Sequence, residues 1–221
     1  MARTIDPNLR IELLAAAESE FVNQGVENTR IDDIVIRAGR SKGAFYQYFT
    51  NKEDIFRQIV EALLARLATL VAQPLLVDEK QAWTPAFFFE RWRLRDEAIF
   101  DFIWVNRALV RLILRGGYSR AFADLMDSFA KRTYDVILES IEWAKEQRVY
   151  RRDFDSHLVS VLIAGAYDRL ARELVDTVEE RPNLRHWCAQ AQSFVLQGII
   201  DPSVDNPHVT TKKGTSWNRR S

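Results

Sequence analysis

Apolar residues recur along this chain at spacings of three and four, the period of a helix with one buried face. Leu9, Leu13, Leu14, Ala17 and Phe21 make the first such stripe, which Asp6 and Pro7 open and Gly25 closes. Ile31, Ile34, Val35 and Ala38 make a second, shorter one, with Thr29 and Asp32 spaced as a capping box and Gly39 as the break. Ser41 is placed to cap a third helix over 42–48, in which Phe45 and Phe49 face the core. Thr50 and Glu53 form another capping box, before the stripe Ile55, Phe56, Ile59, Leu63 and Leu67. Thr84 and Pro85 open a further helix, interrupted at Gly116 and Gly117. Long helices are expected over 119–146 and 155–178, and a last one runs from beyond Pro182 to residue 200. Strand-type alternation and internal repeats are not found, so the pattern predicts an all-α chain.

Two short helices joined by a Gly-containing turn, behind a longer helix, describe a helix-turn-helix. Past Gln73 and Pro74 the composition turns aromatic. The expected organisation is a helix-turn-helix domain over 1–50, a larger helical domain over 51–201, and a polar, basic, flexible tail over 202–221.

The bulk properties narrow the classes. A chain of 221 residues, 47% hydrophobic and 28% charged, can bury a substantial core. Its one cysteine, Cys188, leaves no internal disulfide. No run approaches the roughly 18 apolar residues of a membrane span. Glu12, Glu18 and Glu20 interrupt what would otherwise resemble a leader, so a cytoplasmic location is expected. His157, His186, His208 and Cys188 lack metal-ligand spacing, and there is no Gly-rich phosphate loop. Neither an enzyme, a metal nor a cofactor is expected.

The formal net charge is zero, but its distribution matters more. Arg37, Arg40, Lys42 and Lys52 follow one another with no acid from 34 to 52, whereas 12–33 holds six acids. Charge is thus segregated along the chain, and the same is expected by face. Duplex DNA needs cations for its phosphates and close, directional contacts for its bases. Small Gly43 and Ala44 allow close backbone approach, and Ser41 presents a hydroxyl at a helix start. Gln47 can pair with adenine, and Ala44 can touch a thymine methyl. Arg30, Arg37 and Arg40 suit the backbone. Taken alone, the basic cluster is more often a solvated face.

The stretch LLAAAESEFVNQGVENTRIDDIVIRAGRSKGAFYQYFTNKEDIF resembles the DNA-binding segment of the tetracycline-repressor (TetR) family of bacterial transcription regulators. The resemblance rests on Phe21, Gly25, Thr29, Ala38, Gly39, Ser41, Gly43, Tyr46, Tyr48, Phe49, Lys52 and Glu53, within residues 9–56. It departs from the family pattern at Arg30, Arg40 and Ala44. The resemblance implies phosphate contacts by Tyr46, Tyr48 and Lys52, with Thr29 and Lys42 also at the DNA. It further implies a homodimer on a palindromic operator of double-stranded DNA, and a small-molecule effector that shifts the protein between two conformations. The fourth helix would transmit that change.

Two aromatic and apolar sets remain. Leu158, Val161, Leu162, Gly165 and Arg169 line one helix, and Trp187, Ala191, Phe194, Val195 and Gly198 another. A helix apolar on two faces is deep core, or core plus interface; the resemblance places the dimer interface here. Phe88, Trp92, Trp104, Tyr134 and Tyr167, with Asn106, Arg107 and Arg111, are candidate effector contacts, and would fit an aromatic ligand bearing a carboxylate. The competing reading makes these aromatics core and the arginines solvent-facing. Beside a repressor stand two alternatives: an activator without a small-molecule ligand, and a helical protein-interaction module.

Overall fold

The computed structural model describes residues 7–73, 84–115 and 122–199. Within them the order is α1 (Pro7–Gln24), α2 (Ile31–Arg37), α3 (Lys42–Phe45), α4 (Lys52–Val71), α5 (Pro85–Val105), α6 (Arg107–Arg115), α7 (Ala123–Glu146), α8 (Ser156–Asp176) and α9 (Leu184–Ile199). The fold is all-α. The expected break at Gly116 and Gly117 and the tail over 202–221 lie outside the described residues.

Local chemistry sets most ends. Gly25 and Gly39 adopt left-handed φ of 82° and 62° after α1 and α2, where a side chain would be strained. At Gly39 the turn is a Schellman motif: Arg40 N–H donates to Val35 O (2.8 Å) and Gly39 N–H to Ile36 O (3.0 Å). Ser41, Thr84 and Asp155 cap α3, α5 and α8 by accepting from Ala44, Phe87 and Leu158 amides. Both expected capping boxes sit one residue later than the spacing predicts. Arg30 is the N-cap of α2 and its amide donates to Asp33 (2.9 Å), because the Thr29 hydroxyl is already bonded to Gly25 O (2.7 Å). Asn51 caps α4, while Asp54 accepts from both the amide and hydroxyl of Thr50. The Thr50 amide bond, foremost among these contacts, holds the Asp54 carboxyl below its ordinary range.

Two further differences follow from single residues. α3 stops at Phe45 and tightens into a turn, with Gln47 N–H on Ala44 O and Tyr48 N–H on Phe45 O. The pattern that reads as one helix from Pro85 breaks at Asn106, whose side chain donates to Phe102 O (2.7 Å) and ends α5.

The amino-terminal core gathers Leu13, Phe21, Ile34, Phe45, Phe49, Ile55 and Phe56, all essentially buried. Phe56 meets Phe21 and Phe122 edge-on at 5.2 and 5.4 Å. Leu109 and Ile113 of α6 enter the same cluster, so α6 packs against α1. A second cluster joins the start of α5 to α7, α8 and α9 through Phe88, Phe89, Trp92, Ile141 and Leu196. A third joins the end of α4 to α5, α8 and α9 through Leu67, Val71, Phe100, Trp104 and Leu174. α4 therefore spans from the first core to the third.

Candidate nucleic-acid interface and interior cavity

α2, the Gly39 turn and α3 form the helix-turn-helix, held from behind by Phe45 and Phe49, which are 0% and 2% exposed. With these two rings inward, the opposite edge of α3 presents Lys42, Gly43, Tyr46 and Gln47 to solvent. Tyr46 is 57% exposed although it rests edge-on against Phe45, a posture that burial alone does not reward. Tyr48 is half-buried against the core, and Ala44 is half-buried one turn below it. Ser41 and Arg40 are exposed at the turn.

The cations are not free, and charge is not segregated by face. Packing α1 beside α2 and α3 brings acids from the acidic stretch onto the basic one. Arg40 Nη2 lies 2.6 Å from Glu12, Lys42 Nζ lies 2.8 Å from Asp32, and Arg37 pairs with Glu20. The Asp32 hydrogen bond, with its charge, holds the Lys42 ammonium above its ordinary range. The Arg40 and Lys42 pairs are exposed, so each is weak and exchangeable, about 0–1 kcal/mol, whereas Glu20 is largely covered.

Two residues expected at the DNA are placed elsewhere. Thr29 is 1% exposed and its hydroxyl is consumed by Gly25 O, because the loop folds it inward. Lys52 Nζ donates to the carbonyls of Val26 (2.9 Å), Glu27 (2.7 Å) and Thr29 (3.2 Å). It is a clamp between the α1–α2 loop and the start of α4. Nothing in its sequence context distinguishes a lysine bound for carbonyls from one bound for phosphate. Arg30 is exposed at the start of α2.

On the far side of the molecule α8 and α9 expose apolar surface. Phe194 is 83% exposed, Leu162 62%, Leu158 56% and Val161 48%, with Gly165 and Arg169 exposed alongside. Trp187, Ala191 and Val195 are half-buried between this surface and the core; Gly198 lies in the last turn of α9. Arg169 pairs with Glu173 at 2.8 Å.

A cavity of about 220 Å³ opens between α4, α5, α6, α7 and α8. Leu63, Leu67, Ile99, Phe100, Ile103, Ile113, Phe129 and Ile137 make its wall apolar, and Arg95, Thr133, Tyr167 and Asp168 are its polar members. Of the eight residues expected to contact an effector, only Tyr167 lines it. Phe88 and Trp92 are buried in the second core cluster, and Trp104 in the third. Arg107 stacks over Trp104 at 4.5 Å, and Asn106 is committed to ending α5. Arg111 donates to Val175 O and, with Arg115, faces Asp176 at the end of α8. Tyr134 hydrogen-bonds His157. Arg111 and Arg115 therefore anchor α6 to α8, and with Arg107 on Trp104 these arginines do not form a carboxylate site.

Sequence reasoning missed the polar knot beside this cavity. Arg95 and Asp96 are adjacent and buried, their nearest charged atoms 3.6 Å apart. Gln192 of α9 donates to Asp96 (3.4 Å), and Trp92 donates to the Tyr167 hydroxyl (3.2 Å). Tyr167 stacks on Phe100 with rings 5.7 Å apart and 2° from parallel. Burial pushes the Asp96 carboxyl up to about 6, with Arg95 opposing, and raises the Tyr167 hydroxyl well above its ordinary value. The only advance signal was a charged pair inside an aromatic helix. Among the described residues no group of His, Cys, Asp or Glu is placed to hold a metal, and no helix is long and apolar enough to cross a membrane.

An all-α chain with an exposed helix-turn-helix edge and an interior apolar cavity is the architecture of a DNA-binding regulator. Residues 13–59 match the sequence profile of bacterial regulatory proteins of the tetR family. It is 25% identical over 194 residues to the HTH-type transcriptional regulator YdgC of Bacillus subtilis, covering 88% of this chain and 85% of the relative. It is 33% identical over 111 residues to the HTH-type transcriptional activator FasR of Mycolicibacterium smegmatis, covering 49% of this chain and 47% of that one. Its fold is similar to that of SmeT in a triclosan complex, with a TM-score of 0.73 and 20% identity over 91% of this chain and 96% of that chain. SmeT is described as the repressor of a Stenotrophomonas maltophilia multidrug efflux pump. At that identity the likeness is one of fold. The matched relatives are transcription regulators, and this chain is one of them rather than an enzyme.

Proposed function

We propose that the chain is a cytoplasmic, ligand-responsive repressor that binds a palindromic operator as a homodimer and is released by a small hydrophobic molecule. The observation that carries this reading is the α3 edge, where Tyr46, Gln47, Lys42 and Gly43 are exposed over a rigid Phe45–Phe49 floor. A Cβ at Gly43 would meet only Ser41 Oγ at 3.7 Å, an ordinary contact. The free protein does not need glycine there; a DNA backbone approaching closely does. Arg30, Arg40, Ser41 and Tyr48 flank that edge for phosphates, while Gln47 and Ala44 read bases.

One short helix reads too few bases for a unique site, and two copies about 34 Å apart read a palindrome. The exposed Phe194, Leu162, Leu158 and Val161 supply an apolar face for that pairing. Nothing lies within 4 Å of a Cβ placed on Gly165, so a partner helix can approach there. α4 links the two functions: Ile55 and Phe56 hold it in the DNA-side core, and Leu63, Leu67 and Val71 form cavity wall. An occupant that favours a different tilt of α4 shifts the population away from the DNA-competent state only by its difference in affinity. The FasR identity keeps an activator as the second reading.

The test is selection of genomic fragments by the purified protein at two salt concentrations, beside a Lys42→Ala, Tyr46→Ala variant. The reading expects a salt-sensitive, enriched sequence for the wild type and none for the variant. Equal recovery by both proteins would refute it.

A further inference from the structure

The polar groups of the cavity wall stand at one level. Arg95 lies one helical turn from Trp92 of the second core cluster and one from Ile99 of the third. Thr133 likewise lies one turn from Phe129 and one from Ile137, and Tyr167 packs against both clusters. From that level towards α4 and α6 the lining is aliphatic: Leu63, Leu67, Ile113 and Leu114. The polar groups also have unmet capacity. Arg95 Nε and the Thr133 hydroxyl are buried and have no hydrogen-bond partner, a state that costs free energy unless something accepts from them. Tyr167 is already engaged by Trp92.

Resting on the effector reading above, we infer that the cavity takes a neutral, mainly apolar molecule carrying one hydrogen-bond-accepting oxygen. The oxygen sits at Arg95 and Thr133, and the apolar body extends along α4 and α6. Neutrality follows from the charges already there. Arg95 is faced by Asp96, and Asp168 on the same wall is paired with Arg172 (2.9 Å). Both arginines are already paired with a carboxylate, so an anion would gain no unbalanced positive charge to offset its own desolvation. Size follows from volume: an apolar cavity of about 150 Å³ accepts benzene, and one of about 220 Å³ accepts a ring with a short chain.

Calorimetric titration of the full-length protein with butyrophenone, butylbenzene and phenylbutyrate tests this. The first two share one carbon skeleton and differ by an oxygen; the third adds charge. Butyrophenone is expected to bind about tenfold more tightly than butylbenzene, the worth of one buried hydrogen bond, and more tightly than phenylbutyrate. Thr133→Val, which keeps volume and shape, and Arg95→Met are each expected to shrink the ketone preference. If Arg95→Met does not fold, Thr133→Val decides alone. Equal affinity for ketone and hydrocarbon overturns the inference, as does tighter binding of the carboxylate, a preference untouched by the variants, or no saturable binding. Butyrophenone that binds as expected but leaves DNA affinity unchanged supports the occupant and refutes the effector reading.

Discussion

The α2–α3 face and the α4–α8 cavity both mix charge with aromatic surface, but they partner their charges differently. On the face, Arg40 and Lys42 are held by Glu12 and Asp32 in pairs open to water. Such pairs are orienting devices: they position cations at little cost and release them to a phosphate with little loss. Beside the cavity, Arg95 and Asp96 are 7% and 5% exposed, and their environment cannot be exchanged for solvent. A buried pair with incomplete hydrogen bonding is expensive to disturb in either direction. Surface charge is thus suited to reversible binding, and buried charge couples α5, α8 and α9 beside the cavity.

The contrast can be broken by substitution. Phe45→Ala empties the floor beneath the α3 edge and is expected to cost about 3–5 kcal/mol in urea unfolding. Its exposed neighbour should behave oppositely: Tyr46→Ala changes stability by less than about 0.5 kcal/mol while abolishing operator binding. Comparable destabilisation by both would mean that Tyr46 is core.

The buried carboxyl makes a pH prediction. Asp96 titrates at about 6 in the folded protein against 3.8 for the ordinary group. The unfolded chain releases this proton first, so the group's contribution falls as pH rises from about 4 to above 6. That difference amounts to roughly 3 kcal/mol. Asp96→Asn should remove that loss, so stability measured at both ends of the window is flatter in the variant. A parallel pH profile in the two proteins would contradict the burial account.

Lys52→Met separates a clamp from a phosphate contact. Losing bonds to three carbonyls should cost about 1.5–3 kcal/mol, and the salt dependence of DNA binding should not change. Lys42→Ala, by comparison, is expected to lower the salt slope by about one with little effect on unfolding. Smallest of all, Glu12→Gln frees Arg40 and should tighten DNA binding by no more than about fivefold, within the worth of one exposed pair.

The amino-terminal part was legible because its constraints are local. Phe45 and Phe49 are four apart on one turn, and Gly25 and Gly39 sit where left-handed backbone is required. The capping boxes were displaced by one residue because the Thr29 hydroxyl is spent on Gly25 O, and because Asn51 takes the cap of α4 ahead of Thr50. Lys52 and Thr29 were misassigned for a different reason: their partners lie in a loop whose path the local pattern does not specify. The cavity was illegible in detail because five helices, far apart in the chain, build its wall. Aromatic content pointed to the right region, yet the largest aromatics fill the core while aliphatic residues line the space. Asn106 shows the same limit at smaller scale, since an asparagine inside a helical period gives no sign of a break.

The most direct test of the account is a hydroxyl-radical footprint of the full-length protein on its selected DNA, beside Tyr46→Ala. Two protected patches related by a dyad, about one turn apart on one face of the duplex, and both lost in the variant, are predicted. A single patch, or a footprint that Tyr46→Ala leaves intact, would contradict the account.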